Sequence, residues 1–301
     1  MIRSLARCAS YLAAGILAIA VVVVAPSARA SDPVRGQALF ALAGGCGCHT
    51  PESGPVGAGG RPLPTPFGMF YGPNITSDAE TGLGLWTDAE IIAAIRDGYA
   101  RGRGVEAPVM PYYQYAGMAN RDVEDLVAYL RTLPAVRRFN RAADVPLPRS
   151  AYRLWRWLFV SAAAAPPEAP TSGVERGRYL VDHVSLCGDC HTPRNRLGVP
   201  DAHLYLAGTE HGPDGKRVPN ITPDSETGSG DFDSADLVQV LSMGMLPDFD
   251  NVQGLMAEMV DGYGGGAGYA KAPAGDLRAI AAYLKTVPAI VHEVGKSEIE
   301  R

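Results

Sequence analysis

The stretch Cys187-Gly188-Asp189-Cys190-His191 constrains this chain more than any other feature. Two thiols three residues apart lie near each other on one helical face, and the histidine that follows can point to the same side. This arrangement suits covalent attachment of haem, each thiol adding to a vinyl group and His191 becoming the proximal iron ligand. The competing readings of Cys-x-x-Cys are half of a zinc site or a redox dithiol. Zinc asks for further Cys or His at ligand spacing, and a redox dithiol has no need of the adjacent histidine. The five residues therefore predict haem c.

A second, shortened copy lies upstream at Cys46-Gly47-Cys48-His49, with one residue between the cysteines instead of two. Its surroundings repeat those of the first. Gly36 precedes Cys46 by ten residues and Gly177 precedes Cys187 by ten, each glycine follows an arginine, and both histidines are followed by Thr-Pro. Cys46 thus aligns with Cys187, Cys48 with Cys190 and His49 with His191, which predicts two covalently bound haems. On a regular helix, cysteines two apart point about 200° from each other and do not share one face. Either Gly44, Gly45 and Gly47 unwind the turn, or only Cys48 forms a thioether.

The N-terminus indicates the compartment. Arg3 and Arg7 precede an apolar run ending near Ala25, and Ala28-Arg29-Ala30 offers a small-x-small cleavage site. Residues 1–30 read as a secretory signal peptide, an uncleaved N-terminal anchor being the alternative. Cys8 falls within this leader, so the two motifs use all four other cysteines and none is left for a disulfide. Of the charged residues, 31–150 hold 11 basic and 12 acidic, whereas 173–301 hold 11 basic and 19 acidic. Such a balance argues against nucleic acid and suits a redox protein partner steered by charge.

The duplication is domain-sized. The loop Pro73-Asn74-Ile75-Thr76 recurs as Pro219-Asn220-Ile221-Thr222, an offset of 146, and each copy ends on a helix with Ala-Tyr-Leu, at Tyr129 and Tyr283. An offset that long indicates a duplicated domain rather than a solenoid unit. The reading is a leader over 1–30, domains over 31–135 and 173–290, a linker over 136–172 and a polar tail over 291–301. Each half runs helix, haem motif, long Gly/Pro-rich loop, middle helix, Met-containing loop and last helix, with little strand. This order resembles small cytochrome c domains: mainly α, two in tandem, with long haem-enclosing loops. Gly36 and Gly177 are placed to let the first and last helices of each half cross closely, with Tyr129 and Tyr283 at the crossings.

A thioether opposite His gives a low-spin iron with a raised potential. Met110 and Met256 share the offset of 146 and lie between the middle and last helices, so they are the expected axial ligands, with Met259 as the competitor in the second half. Asn74 and Asn220 are candidates for the haem surroundings, through a propionate or an axial ligand, or simply turn formers. Arg194 is placed for a propionate or for solvent. In the linker, Leu154 to Val160 is too short to span a bilayer; it either packs between the domains or presents Trp155, Trp157 and Phe159 to a partner or membrane surface. Residues 162–170 read as a flexible tether.

The Thr-Pro-Arg-Asn after the second motif, the Pro-Asn-Ile-Thr loops, Met110-Pro111 and the Ala-Tyr-Leu helices resemble the c-type cytochrome subunits of bacterial membrane-associated alcohol, gluconate and aldehyde dehydrogenases. The resemblance implies single-electron transfer from a periplasmic or membrane-associated dehydrogenase to an oxidase or another cytochrome, with peripheral membrane association. The alternative is a dihaem enzyme of thiosulfate dehydrogenase or peroxidase type. Catalysis on one haem usually needs an open or unusual axial position, whereas the repeat supplies one Met per haem. The electron carrier is the reading this sequence supports better.

Overall fold

The computed structural model describes residues 29–161 and 165–295; the expected leader, apart from its last two residues, and the end of the polar tail lie outside the described residues. The first half opens on α1 (Pro33–Leu42), started by the Asp32 carboxylate, which accepts from the N–H groups of Val34 and Arg35. A 3₁₀ turn over Gly44–His49 carries the first motif. There follow the hairpin β1 (Pro62–Thr65) and β2 (Gly68–Tyr71), α2 (Asp88–Asp97), and the short hairpin β3 (Tyr99–Ala100) and β4 (Gly104–Val105). α3 (Tyr112–Tyr115) and α4 (Asn120–Leu130) close this half, and α5 (Arg149–Phe159) stands alone after it. The second half comprises α6 (Gly173–His183), α7 (Cys187–His191), α8 (Ser234–Met243), α9 (Gly254–Asp261) and α10 (Ala274–Leu284).

The repeat is visible in the geometry. Thr87 and Glu90 form a capping box on α2, and Asp233 and Asp236 form its counterpart on α8. The first and last helices of each half cross at their glycines. A Cβ on Gly36 would lie 1.9 Å from the Asp125 carbonyl oxygen, and one on Gly177 would lie 1.9 Å from that of Ala279, with the Cβ atoms of Tyr129 and Tyr283 next in line. Only a residue without a side chain allows backbones to approach so closely. Both crossings carry an ion pair, Arg35 with Asp122 and Arg176 with Asp276, from the residue before each glycine to the first turn of the last helix.

One continuous apolar core runs through both halves, from Phe40, Leu42, Val123 and Val127 to Leu180, Val181, Ile280 and Ala281. Asp122, fully buried, anchors the junction. Besides Arg35 it accepts from the Tyr179 hydroxyl at 2.9 Å and lies 3.6 Å from the Arg176 guanidinium, both on α6. Tyr179 in turn accepts from the Ala119 N–H at 3.0 Å. Asp122→Asn keeps the shape but removes the charge that two arginines share. The expected loss is about 1–3 kcal/mol, read as a lower denaturant midpoint, because buried donors to a charged group lose most when it is neutralised.

Within 136–172, the described residues make defined contacts. The Val136 and Arg138 carbonyls accept from the Asn74 amide, the Asn140 side chain bridges the Asn74 N–H and the Thr81 carbonyl, and Asp144 pairs with Met69. The first half therefore extends to about residue 145. At the other end, where a tether was expected, the Pro166 and Pro167 carbonyls accept from the Asn120 and Arg121 N–H groups and so cap α4. Prolines lack an N–H but keep the carbonyl, which serves here as the acceptor. The apolar run on α5 does not fill the junction: no residue of α5 is buried, and Trp155 reaches both halves, against the Tyr113 ring and donating to the Leu197 carbonyl at 2.8 Å.

Candidate haem sites

Both site histidines are held by one device. His49 Nδ1 lies 2.9 Å from the Pro73 carbonyl oxygen and His191 Nδ1 lies 2.8 Å from that of Pro219. A proton on Nδ1 leaves the Nε2 lone pair for a metal, with the ring's orientation fixed from behind. Burial lowers the pKa of both imidazoles, which keeps them neutral and able to ligate.

The proline carbonyls are positioned by the Asn residues that follow them. The Asn74 amide donates to the Thr81 hydroxyl at 3.0 Å and the Val136 carbonyl at 2.7 Å, while its oxygen accepts from the Thr76 N–H and hydroxyl. Asn220 repeats this with Thr227, the Ile290 carbonyl and Thr222. These bonds occupy both amide hydrogens and leave none for a propionate. Each Asn instead organises the loop whose carbonyl orients the histidine.

Arg194 is likewise committed, paired with Asp189 and donating to the Tyr113 hydroxyl at 2.9 Å rather than reaching solvent alone.

The shortened motif is unwound. Gly44, Gly45 and Cys46 all have positive φ, at 64°, 68° and 49°, so Cys46 precedes the helical turn instead of lying within it. The opposition of cysteines two apart on a regular helix therefore does not apply to this pair. In the second motif the left-handed residue is Leu186, φ 51°, and Cys187–His191 is helical throughout. The lost residue is absorbed by moving the left-handed kink onto the first cysteine.

The four cysteines are unpaired thiols. Burial pushes Cys46 and Cys187 up to about 12 and Cys48 up to about 11, and raises Cys190 too. Cys48 is nonetheless reached by solvent. Redox dithiols need the opposite, a lowered thiol pKa. Among the described residues no group of three or more His, Cys, Asp or Glu is arranged as a cage for a metal ion. Neutral thiols beside an imidazole with a free Nε2, in an apolar setting, fit haem c.

Two tyrosines that the sequence reading passed over complete the pockets. Tyr115 lies near Cys46 and Cys48, and Tyr269 near Cys187 and Cys190; burial raises both phenols well above their usual range. They are related by an offset of 154, the offset that also relates Tyr129 to Tyr283. Met110 follows the β3–β4 hairpin and Met256 lies on α9, both half-buried. Their register holds in the backbone: the pairs Tyr99–Val105 and Met245–Asn251 match at an offset of 146, as do the bonds from the Glu106 N–H to Gly98 and from the Val252 N–H to Gly244. Met259 points elsewhere. A Cβ on Gly44 would lie 2.1 Å from its sulfur, so Met259 packs on the first motif although it belongs to the second half.

The two sites adjoin. Tyr263 packs on Gly47 of the first motif and carries the Arg61 guanidinium 4.6 Å above its ring, while Arg61 pairs with Glu258 at 2.7 Å. From the other side, Gln114 donates to Asp189 inside the second motif at 3.0 Å, and His183 lies over Gly117 with Nδ1 2.9 Å from the Gln114 carbonyl. The Cys48 and Cys190 thiols lie near each other across the junction.

Cys-His motifs on a duplicated helical scaffold define a c-type cytochrome. The cytochrome c family model matches residues 33–134. A dihaem cytochrome c-type protein of Cereibacter sphaeroides is 40% identical over 272 residues, covering 85% of this chain and 86% of the relative. The cytochrome c subunit of gluconate 2-dehydrogenase from Pantoea cypripedii is 35% identical over 85% of this chain and 59% of its own length. The cytochrome c subunit of a quinone alcohol dehydrogenase from Gluconobacter oxydans is 33% identical over 93% of this chain. The chain spans about 60% of the length of that subunit. This chain belongs to the cytochrome c family and is an electron-transfer cytochrome that binds haem c.

Proposed function

We propose that the chain carries two haems, each between His and Met, and relays single electrons in the periplasm from a dehydrogenase towards the respiratory chain at the membrane surface. The observation that carries this reading is the juxtaposition of the two Cys-His motifs, with Gln114, Asp189, Tyr263 and Gly47 in contact across the junction. When bound, haem c supplies a one-electron iron couple. The chain's own residues do the rest. Cys46, Cys48, Cys187 and Cys190 hold the group covalently, and His49 and His191 present Nε2 from a ring fixed by the proline carbonyls. Met110 and Met256 would supply the second ligand to each iron, and Tyr115 and Tyr269, buried beside the cysteines, would keep water from the thiol side. Rigid packing of the halves through Asp122 and Tyr179 keeps the two sites at one separation during transfer.

The test is electron transfer from a purified membrane dehydrogenase, followed by reduction of the visible haem bands. The relay predicts that both haems become reduced and that the oxidised protein is low-spin throughout, with a Met–iron charge-transfer band. A stable high-spin fraction would favour a catalytic haem. The second half carries the excess acid, so the rate is expected to fall as salt rises through the screening range. A rate insensitive to salt would place the docking elsewhere.

A further inference from the structure

α5 has three faces. Tyr152 and Trp155 point inward, with Phe159, 40% exposed, along their edge: Tyr152 packs 6.4 Å from the Phe70 ring, Trp155 packs 5.6 Å from Tyr113, and Phe159 packs on Trp155. Arg149, Arg153 and Arg156, spaced four and three apart, form a basic row beside them. The third face is an outward apolar row: Leu154 is 55% exposed, Trp157 78% and Leu158 53%. No acidic residue occurs between Asp144 and Glu168, and none of the three arginines forms an ion pair among the described residues, in a chain whose net charge is −5. Next to the row opens a cavity of about 350 Å³ lined by Arg96, Arg153, Arg156 and Trp157, with Asp97 as its one acid.

We propose that α5 is an interfacial helix that seats this cytochrome on an anionic phospholipid surface, with Leu154, Trp157 and Leu158 entering the headgroup boundary and the arginines around the cavity taking lipid phosphates. Charge complementarity decides for lipid. A helix that is basic on one side, apolar on the next and free of acid matches a negatively charged bilayer surface, which asks for apolar insertion and flanking cations. Protein interfaces instead carry a polar rim with paired donors and acceptors, and the outward row of α5 has none to offer beyond one indole N–H. The inference deepens the membrane-surface reading above by naming the contact. It also places the second motif near the bilayer, since Trp155 rests on Tyr113 and Tyr113 contacts Arg194 beside Cys190.

The test is co-sedimentation of the haem-loaded protein with vesicles of phosphatidylcholine alone or mixed with phosphatidylglycerol, comparing wild type with W157S/L158S and R153E. Wild type should bind the anionic vesicles about tenfold more tightly than the neutral ones and be released by salt. Each variant should lose about tenfold in binding to anionic vesicles, with unchanged haem spectra, because no residue of α5 is buried. If wild type ignores anionic vesicles, both this proposal and the membrane-surface reading fail. If wild type binds and both variants bind equally well, the membrane reading stands and its assignment to α5 is overturned. If the variants keep vesicle binding but accept electrons more slowly from a dehydrogenase, α5 faces a protein and the proposal is likewise overturned.

Discussion

Gly177→Ala is expected to lower the stability of the folded protein by about 3 kcal/mol or more, since overpacking against backbone has no cheap relaxation. The added Cβ would meet the Ala279 carbonyl oxygen at 1.9 Å and the Tyr283 Cβ at 2.7 Å, so α6 and α10 would have to separate. That separation would also lengthen the Arg176–Asp276 pair, 2.9 Å in the native crossing. Gly36→Ala should behave alike, because its Cβ meets the Asp125 carbonyl at the same distance. Gly275, on α10 itself, is the control: its nearest neighbour is an Arg278 side-chain nitrogen at 3.9 Å. Gly275→Ala should be neutral or stabilising by up to about 1 kcal/mol through helix propensity. Equilibrium denaturation of the three variants checks the contrast. Equal effects at Gly177 and Gly275 would remove the close crossing as the reason for glycine.

Met256→His is expected to lower the reduction potential of one haem by a few tenths of a volt while keeping it low-spin, because an imidazole nitrogen favours the ferric ion more than a thioether does. Met259→His should leave both potentials close to wild type, since its sulfur rests on Gly44 of the other motif. Spectroelectrochemical titration separates the outcomes. A shift with Met259→His and none with Met256→His would reverse the assignment.

The architecture was legible because duplication let each half check the other. Gly36 and Gly177 form a pair in the sequence, and the matched loops give Met110 and Met256 one register, shared by the backbone pairing that precedes them. The pattern was blind to backbone acceptors. Pro73 and Pro219 act through their carbonyls, which every residue possesses, so only the Asn residues beside them carry a signal in the sequence. The pairs Arg35–Asp122 and Arg176–Asp276 and the tyrosines Tyr115 and Tyr269 were available in principle. Asp122 and Asp276, like Tyr115 and Tyr269, lie at an offset of 154, not the 146 of the loops, because the second half carries eight additional residues before them, whereas Arg35 and Arg176 lie 141 apart. Contacts across the halves, such as Met259 on Gly44, depend on a docking angle that periodicity does not encode. The segment after Val136 was read as a linker from its prolines and arginines, yet its carbonyls and the Asn140 side chain complete the first haem loop.

The shortened Cys46-Gly47-Cys48-His49 motif is expected to hold haem as the full-length one does, giving two haems on adjoining sites. The intact mass of the chain, matured in a cell that attaches haem c, tests this most directly. The expected mass is that of the polypeptide plus two haems, falling to one in Cys187→Ser/Cys190→Ser and also to one in Cys46→Ser/Cys48→Ser. A wild-type mass with a single haem, unchanged by Cys46→Ser/Cys48→Ser, would contradict it.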